Sequence, residues 1–143
     1  MFQRILVVCT GNICRSPVAA AMLRARLSGR AVSSAGLGAL AGHGVEPSAA
    51  RLAEADGLSV AGHQARQLGA EMLAEADLVL VMSEGQRRAV AELVPAALGK
   101  TLLLGHWLPG AREIPDPYRQ SDEMFARVHE RLRDAVEAWA ARL

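Results

Sequence analysis

Four short runs of aliphatic and β-branched residues, Arg4–Val8, Arg30–Ser34, Asp77–Met82 and Lys100–Leu104, are separated by longer stretches in which apolar residues recur at helical spacing. That alternation predicts parallel β-α-β units, because parallel neighbours need a crossover long enough to hold a helix. Each is a compact run suited to a sheet covered on both faces. Ser16 and Pro17 predict an N-cap with proline at the first helical position, opening a helix to about Leu27. Pro47 to Asp56 predicts a second helix stopped by Gly57, and Ser83 with Gln86 forms a capping-box pattern for a third, ended near Val94 by Pro95. Phe125, Val128, Leu132, Val136, Trp139 and Leu143 trace one apolar stripe along a last helix. The expected fold is α/β: residues 1–143 as a single domain with a doubly wound, Rossmann-like, four-stranded parallel sheet and helices on both faces. A chain of 143 residues is long enough to bury roughly 70% of its unfolded surface without a metal or disulfide to hold the core.

Charge and composition exclude several classes of function. Sixteen Lys and Arg against fifteen Asp and Glu leave a net charge of +1, not the basic surplus that nucleic-acid or anionic-membrane binding requires. Aromatics are too few for base-stacking platforms. The longest early apolar run, Ile5 to Val8, falls far short of a membrane span or a signal-peptide core, so the chain is expected to be cytoplasmic and not inserted in a membrane. The cysteines, Cys9 and Cys14, sit too close together for a secreted disulfide framework and point to chemistry at one place.

That place is Cys9-Thr-Gly-Asn-Ile-Cys-Arg15-Ser16-Pro17, directly after the first strand. A loop of this length before a helix can turn successive backbone N–H groups, from Thr10, Gly11, Asn12, Ile13, Cys14 and Arg15, toward one centre and so bind an oxyanion. Arg15 adds a planar fork for two oxygens of a phosphate or arsenate. The same donors favour the thiolate form of Cys9, placing a nucleophile beneath an oxyanion cradle. Ser16 can hydrogen-bond the Cys9 sulfur, and Asn12 can hold the loop open. Attack on phosphorus expels an ester oxygen that needs a proton, and Asp116, fixed between Pro115 and Pro117 in a loop after the fourth strand, is the leading general acid.

Val8-Cys-Thr-Gly-Asn-Ile-Cys-Arg-Ser-Pro17 and Asp116-Pro-Tyr118 closely resemble the low-molecular-weight protein tyrosine phosphatases, and the resemblance continues through Ser33-Ser-Ala-Gly36, His63-Gln-Ala-Arg66 and Asp77-Leu-Val-Leu-Val-Met82. It implies Cys9 as nucleophile, Arg15 as phosphate ligand, Asp116 as general acid and base, and a supporting network of Asn12, Ser16, Ser34 and His63. It also implies a reversible disulfide between Cys14 and Cys9 that shields the nucleophile, and inorganic phosphate as product. Leu40 stands where eukaryotic relatives place an aromatic wall of the pocket, with Tyr118 as the opposing wall. Arg119 replaces the second tyrosine of the eukaryotic pattern. Ser34-Ala-Gly-Leu-Gly-Ala-Leu40, Gly105-His-Trp107 and Ile114-Pro-Asp-Pro-Tyr-Arg119 resemble bacterial members paired with autophosphorylating tyrosine kinases of capsule or exopolysaccharide export, which makes such a kinase the implied phosphotyrosine-containing partner.

Other readings have less behind them. Gly36-Leu-Gly38-Ala-Leu-Ala41 fits a loose dinucleotide fingerprint, but Gly42, Gly44 and Pro47 oppose the helix that should follow, and it lies off the first strand. His43, His63, His106 and His129 have no zinc spacing relative to the cysteines, so neither metal nor cofactor is expected. A thioredoxin-coupled arsenate reductase needs cysteines beyond Cys14 to pass on a disulfide. A non-catalytic phosphoprotein-binding module has no use for so complete a set of Cys9, Arg15 and Asp116.

Overall fold

The computed structural model describes residues 2–143. Four parallel strands, β1 (Arg4–Cys9), β2 (Ala31–Gly36), β3 (Leu78–Val81) and β4 (Thr101–Leu103), form one sheet in the order β2-β1-β3-β4. Five α-helices connect and cover them: α1 (Arg15–Arg26), α2 (Pro47–Ala55), α3 (Ala70–Glu75), α4 (Glu84–Leu93) and α5 (Asp122–Ala140), with a short 3-10 helix at Pro95–Lys100.

The continuous hydrophobicity of β1 follows from burial on both faces. Ile5, Val7 and Cys9 join one core with α1, α2 and α5, which includes Leu23, Ala53, Leu132 and Trp139. Leu6 and Val8 join a second core on the opposite face with Leu73 of α3 and Val90 of α4. Strand order reverses between β1 and β3, and ligands of such sheets bind in the crevice outside the carboxyl ends of the strands at that switch. Both the loop after Cys9 and the segment bearing Asp116 reach this edge, where they line one cavity.

Sheet edges are closed by arginines. On β2, Arg24 Nε donates to Val32 O and Arg66 Nε to Ser34 O, at 3.0 and 2.9 Å. On β4, Arg87 Nε donates to Thr101 O at 2.7 Å. Carbonyls that could pair with a foreign strand are thereby occupied.

The start of α1 differs from the expectation. The helix begins at Arg15 with Cys14 at the cap and no side-chain cap bond, so Ser16 and Pro17 lie inside the first turn. The Ser16 hydroxyl is used instead within the Cys9 loop, and the missing N–H of Pro17 is harmless in a first turn whose N–H groups have no intrahelical partner. At the other end of the chain, α5 stops at Ala140, leaving Leu143 beyond the helix although still packed against the core. Helix α3 had no counterpart in the sequence reading.

Candidate active site

The loop from Cys9 to Arg15 is held by its carbonyls. Cys9 O accepts from Leu37 N–H, Thr10 O from Gly38, Gly11 O from Leu40 and Ile13 O from Glu46, at 2.8 to 3.0 Å, while Asn12 O accepts from His63 Nε2 at 2.7 Å. With these carbonyls engaged by surrounding segments, the N–H groups of residues 11–14 make no hydrogen bond among the described residues. Free donors concentrated in one turn, at the positive end of α1, constitute an anion nest.

Asn12 is the keystone of this turn. Its φ of 59° is left-handed, a conformation that costs a residue with a β-carbon roughly 1–2 kcal/mol. The cost is offset by the side chain: Oδ1 accepts from Arg66 N–H at 3.0 Å, and Nδ2 donates to Ser16 Oγ at 2.8 Å and Ser34 Oγ at 2.9 Å. Because Ser16 Oγ accepts from Asn12, its own proton is free for Cys9 Sγ, 2.9 Å away. The expected network of Asn12, Ser16, Ser34 and His63 is thus one connected set, with only the His63 bond reaching the loop through a carbonyl. Gly36 follows from the same crowding, since a β-carbon there would lie 2.5 Å from Thr10 O.

Arg15 is buried and committed. Nη1 donates to Ile114 O at 2.8 Å, Nη2 lies 3.6 Å from Asp116 Oδ2, and Nε is a buried donor with no hydrogen-bond partner among the described residues. Asp116 itself is half exposed, with a side-chain exposure of 50%, and its Oδ1 accepts from Tyr118 N–H at 3.0 Å. The carboxylate is therefore aimed by a tight turn between two prolines while staying open to solvent. Cys9, Ile13, Cys14, Arg15, Asp116 and Tyr118 share a cavity of about 180 Å³, with Leu40 on its wall. Ile13, Leu40 and Tyr118 make the walls apolar above a polar floor.

Both cysteines are free and buried. Burial above all, then the neighbouring Asp116, Cys9 and Glu46, push the Cys14 thiol up to about 12, against an opposing pull from Arg15. Cys14 therefore remains a thiol at neutral pH.

Two residues of the site were missed from sequence. Arg66 anchors Asn12 through its backbone and β2 through its side chain. Gln86, read as half of a capping box, does not reach back to Ser83 N–H. Ser83 Oγ accepts from Gln86 N–H at 3.2 Å, while the Gln86 side chain accepts from Met82 N–H and donates to Thr10 Oγ1. The serine cap expected from Ser83 forms, but the Gln86 side chain serves the Cys9 loop instead of completing a capping box.

A sulfur at a strand end, beneath unpaired N–H groups and beside a buried guanidinium, is built to meet a tetrahedral oxyanion, which places the molecule among cysteine-dependent phosphatases. Comparison with known proteins narrows the class. The model of the low molecular weight phosphotyrosine protein phosphatases matches residues 4–143, and the chain belongs to that family. It is 46% identical over 143 residues to the low molecular weight protein-tyrosine-phosphatase Wzb of Salmonella typhimurium, covering 100% of this chain and 95% of that one. The sulphate complex of the tyrosine phosphatase Wzb from Escherichia coli K30 superposes with a TM-score of 0.96 at 45% identity, covering 99% of each chain. The YwlE arginine phosphatase from Geobacillus stearothermophilus is more distant, with a TM-score of 0.91 at 34% identity, covering 99% of this chain and 92% of that one. The protein is a phosphatase of the phosphotyrosine class.

Proposed function

We propose that Cys9, Arg15 and Asp116 carry hydrolysis of phosphotyrosine in two steps. The Cys9 thiolate attacks phosphorus; as the phosphorus–oxygen bond to the aryl group breaks, protonated Asp116 gives its proton to the departing phenolate. The loop N–H groups and Arg15 hold the three equatorial oxygens, with the unpaired Nε of Arg15 available as a donor. Asp116, now a carboxylate, takes a proton from the water that attacks the phosphocysteine, releasing inorganic phosphate. Ser16 hydrogen-bonds the Cys9 sulfur both as attacking thiolate and as leaving group. The observation that carries this assignment is the convergence of Cys9 Sγ, Ser16 Oγ, the buried Arg15 and the half-exposed Asp116 on one cavity. Apolar walls from Ile13, Leu40 and Tyr118 suit a flat aryl ring better than a solvated guanidinium.

Cys14 is the proposed redox partner. Peroxide oxidises Cys9 to a sulfenic acid; the Cys14 sulfur then attacks it, slowly because its thiol is held protonated, and the Cys14 proton leaves with the sulfenic hydroxyl as water when the disulfide forms. The physiological substrate we propose is the phosphotyrosine tail of an autophosphorylating tyrosine kinase of polysaccharide export, a reading supported by the likeness to Wzb along the whole chain.

The test is phosphate release from phosphotyrosine, phosphoserine and phosphoarginine peptides, under reducing conditions with chelator, by the wild type and Cys9→Ser. Release selective for phosphotyrosine and abolished in the variant is expected. Equal or faster release from phosphoarginine would overturn the substrate class, and undiminished release by Cys9→Ser would overturn the nucleophile. For the kinase, Cys9→Ser should retain the autophosphorylated tail on an affinity column while its unphosphorylated form passes through.

A further inference from the structure

The two-step chemistry uses Tyr118 as a wall but gives its neighbour Arg119 nothing to do. Arg119 is nevertheless built at a cost. It is one of the two described non-glycine residues with positive φ, at 62°, the other being Asn12. Gln120 N–H donates to Pro117 O at 2.8 Å, closing a turn whose third residue is Arg119. Positive φ at that position alone is the type II pattern, where glycine fits without strain. Asn12 offsets the same strain through buried hydrogen bonds, whereas Arg119 is exposed and its side chain makes no hydrogen bond among the described residues.

What the strained turn does is place a charge. The Arg119 guanidinium carbon lies 5.3 Å from the centroid of the Tyr118 ring, within cation–π range. Tyr118 lines the cavity that holds Cys9 and Asp116, so the cation rests against a residue of the cavity wall without lining the cavity itself. Arg119 belongs to none of the ion pairs among the described residues, whereas Arg15, the cation inside the cavity, is turned onto Ile114 O and Asp116. Strain held beside a reaction centre is a pointer to function. An arginine fork with no ion-pair partner among the described residues, stacked on the wall that flanks the reacting phosphate, is placed to receive an anion from the same substrate chain.

We propose, resting on the phosphotyrosine reading above, that Arg119 is a specificity residue that pairs with an anionic group flanking the phosphotyrosine, either a carboxylate or the phosphate of a second phosphotyrosine. It touches neither phosphorus nor the leaving oxygen. It discriminates among phosphotyrosine sites.

The experiment measures kcat/KM of the wild type, Arg119→Gln, Arg119→Lys and Arg119→Gly on three phosphotyrosine peptides of equal length, with neutral flanks, glutamate flanks or a neighbouring second phosphotyrosine. The wild type should favour the anionic peptides over the neutral one by roughly two- to fivefold, as for an exposed ion pair. Added salt should shrink that ratio. It should collapse toward one in Arg119→Gln and Arg119→Gly, the latter relieving the backbone strain so that a folding defect cannot mimic the effect, and persist in part in Arg119→Lys. A ratio raised for the second phosphotyrosine alone would identify phosphate as the anion, and one raised for both anionic peptides would admit carboxylate as well. Equal wild-type rates on all three peptides would overturn the proposal, as would a ratio that survives in Arg119→Gln and Arg119→Gly. So would an equal fall on all three peptides in Arg119→Gln, which would leave Arg119 only the steadying of Tyr118. Failure of the parent reading looks different: the wild type would release phosphate from none of the three.

Discussion

At the scale of single residues, the two cysteines of one loop differ in their protonation and reactivity. Cys14, pushed up to about 12 chiefly by its burial, stays protonated at pH 7 and is a poor nucleophile. Brief alkylation at that pH, followed by peptide mapping, should label Cys9 and leave Cys14 unmodified; preferential labelling of Cys14 would contradict the assignment. Asn12→Ala removes two buried and one partly buried side-chain hydrogen bond and leaves alanine in a left-handed conformation. Chemical denaturation should then record a loss of roughly 2–4 kcal/mol, with turnover falling further than stability explains because the nest deforms. The residues proposed as nucleophile, phosphate ligand and acid, Cys9, Arg15 and Asp116, are legible in the sequence because the features that mark them are local: a strand-end cysteine, an adjacent guanidinium fork and a carboxyl pinned between prolines. Ser34 and His63 became legible only by resemblance, since nothing in their own neighbourhoods points at a loop more than 20 residues away. Gln86 was hidden by an ordinary capping role that its backbone fulfils while its side chain is engaged elsewhere.

At the scale of elements, two predictions concern how β1 and its loop are fixed. Gly36→Ala, ending β2, would drive a β-carbon to 2.5 Å from Thr10 O, so either the strand or the loop must shift. Turnover should fall while far-ultraviolet circular dichroism stays native, and an unaltered kcat/KM would show that the loop tolerates displacement. Asp77 clamps the opposite end of β1, its Oδ2 accepting from Gln3 N–H and Arg4 N–H at 2.9 Å each. Those bonds, that of Arg4 first, hold its carboxyl below the usual range. A depressed folded value means that the stabilisation is complete above the unfolded value of about 3.9 and is lost as pH falls through the folded one. The difference in Tm between wild type and Asp77→Ala should therefore be constant from about pH 5 to 8 and shrink below about pH 4. Strands β1 and β3 are readable because burial on both faces leaves no polar interruption, whereas β2 carries Ser33 and Ser34 and shows only a short run; α2, α4 and α5 are readable because caps or long stripes mark them. Helix α3 spans only Ala70–Glu75, too short for a period to show, and the first turn of α1 was misread because its free N–H groups belong to the anion nest rather than to a serine cap.

At the scale of the whole molecule, the sheet exists to present two separate loops to one cavity, and α5 fastens the second of them. Its stripe of Phe125, Val128, Leu132, Val136 and Trp139 is buried against α1, α2 and the sheet, and it follows directly on the segment from Asp116 to Gln120. Leu132→Ala should cost roughly 2–5 kcal/mol in chemical denaturation, while kcat/KM of the fraction still folded stays near wild type. A loss of activity exceeding the loss of folded protein would mean that α5 acts on the site directly. No described helix is long and apolar enough to cross a membrane. The strand order was beyond the sequence, since hydrophobic runs mark strands without saying which are neighbours; the catalytic edge was not, because parallel strands carry their ligands at their carboxyl ends whatever their order.

The proposed reaction passes through a covalent bond between phosphorus and the sulfur of Cys9, and rapid acid quench of the enzyme turning over a phosphotyrosine peptide tests for that bond most directly. Mass spectrometry of the quenched digest should find phosphate on the peptide containing Cys9 in the wild type and none in Cys9→Ser. Steady turnover by the wild type with no phosphorylated Cys9 peptide at any quench time, under conditions that preserve a synthetic phosphocysteine standard, would contradict it.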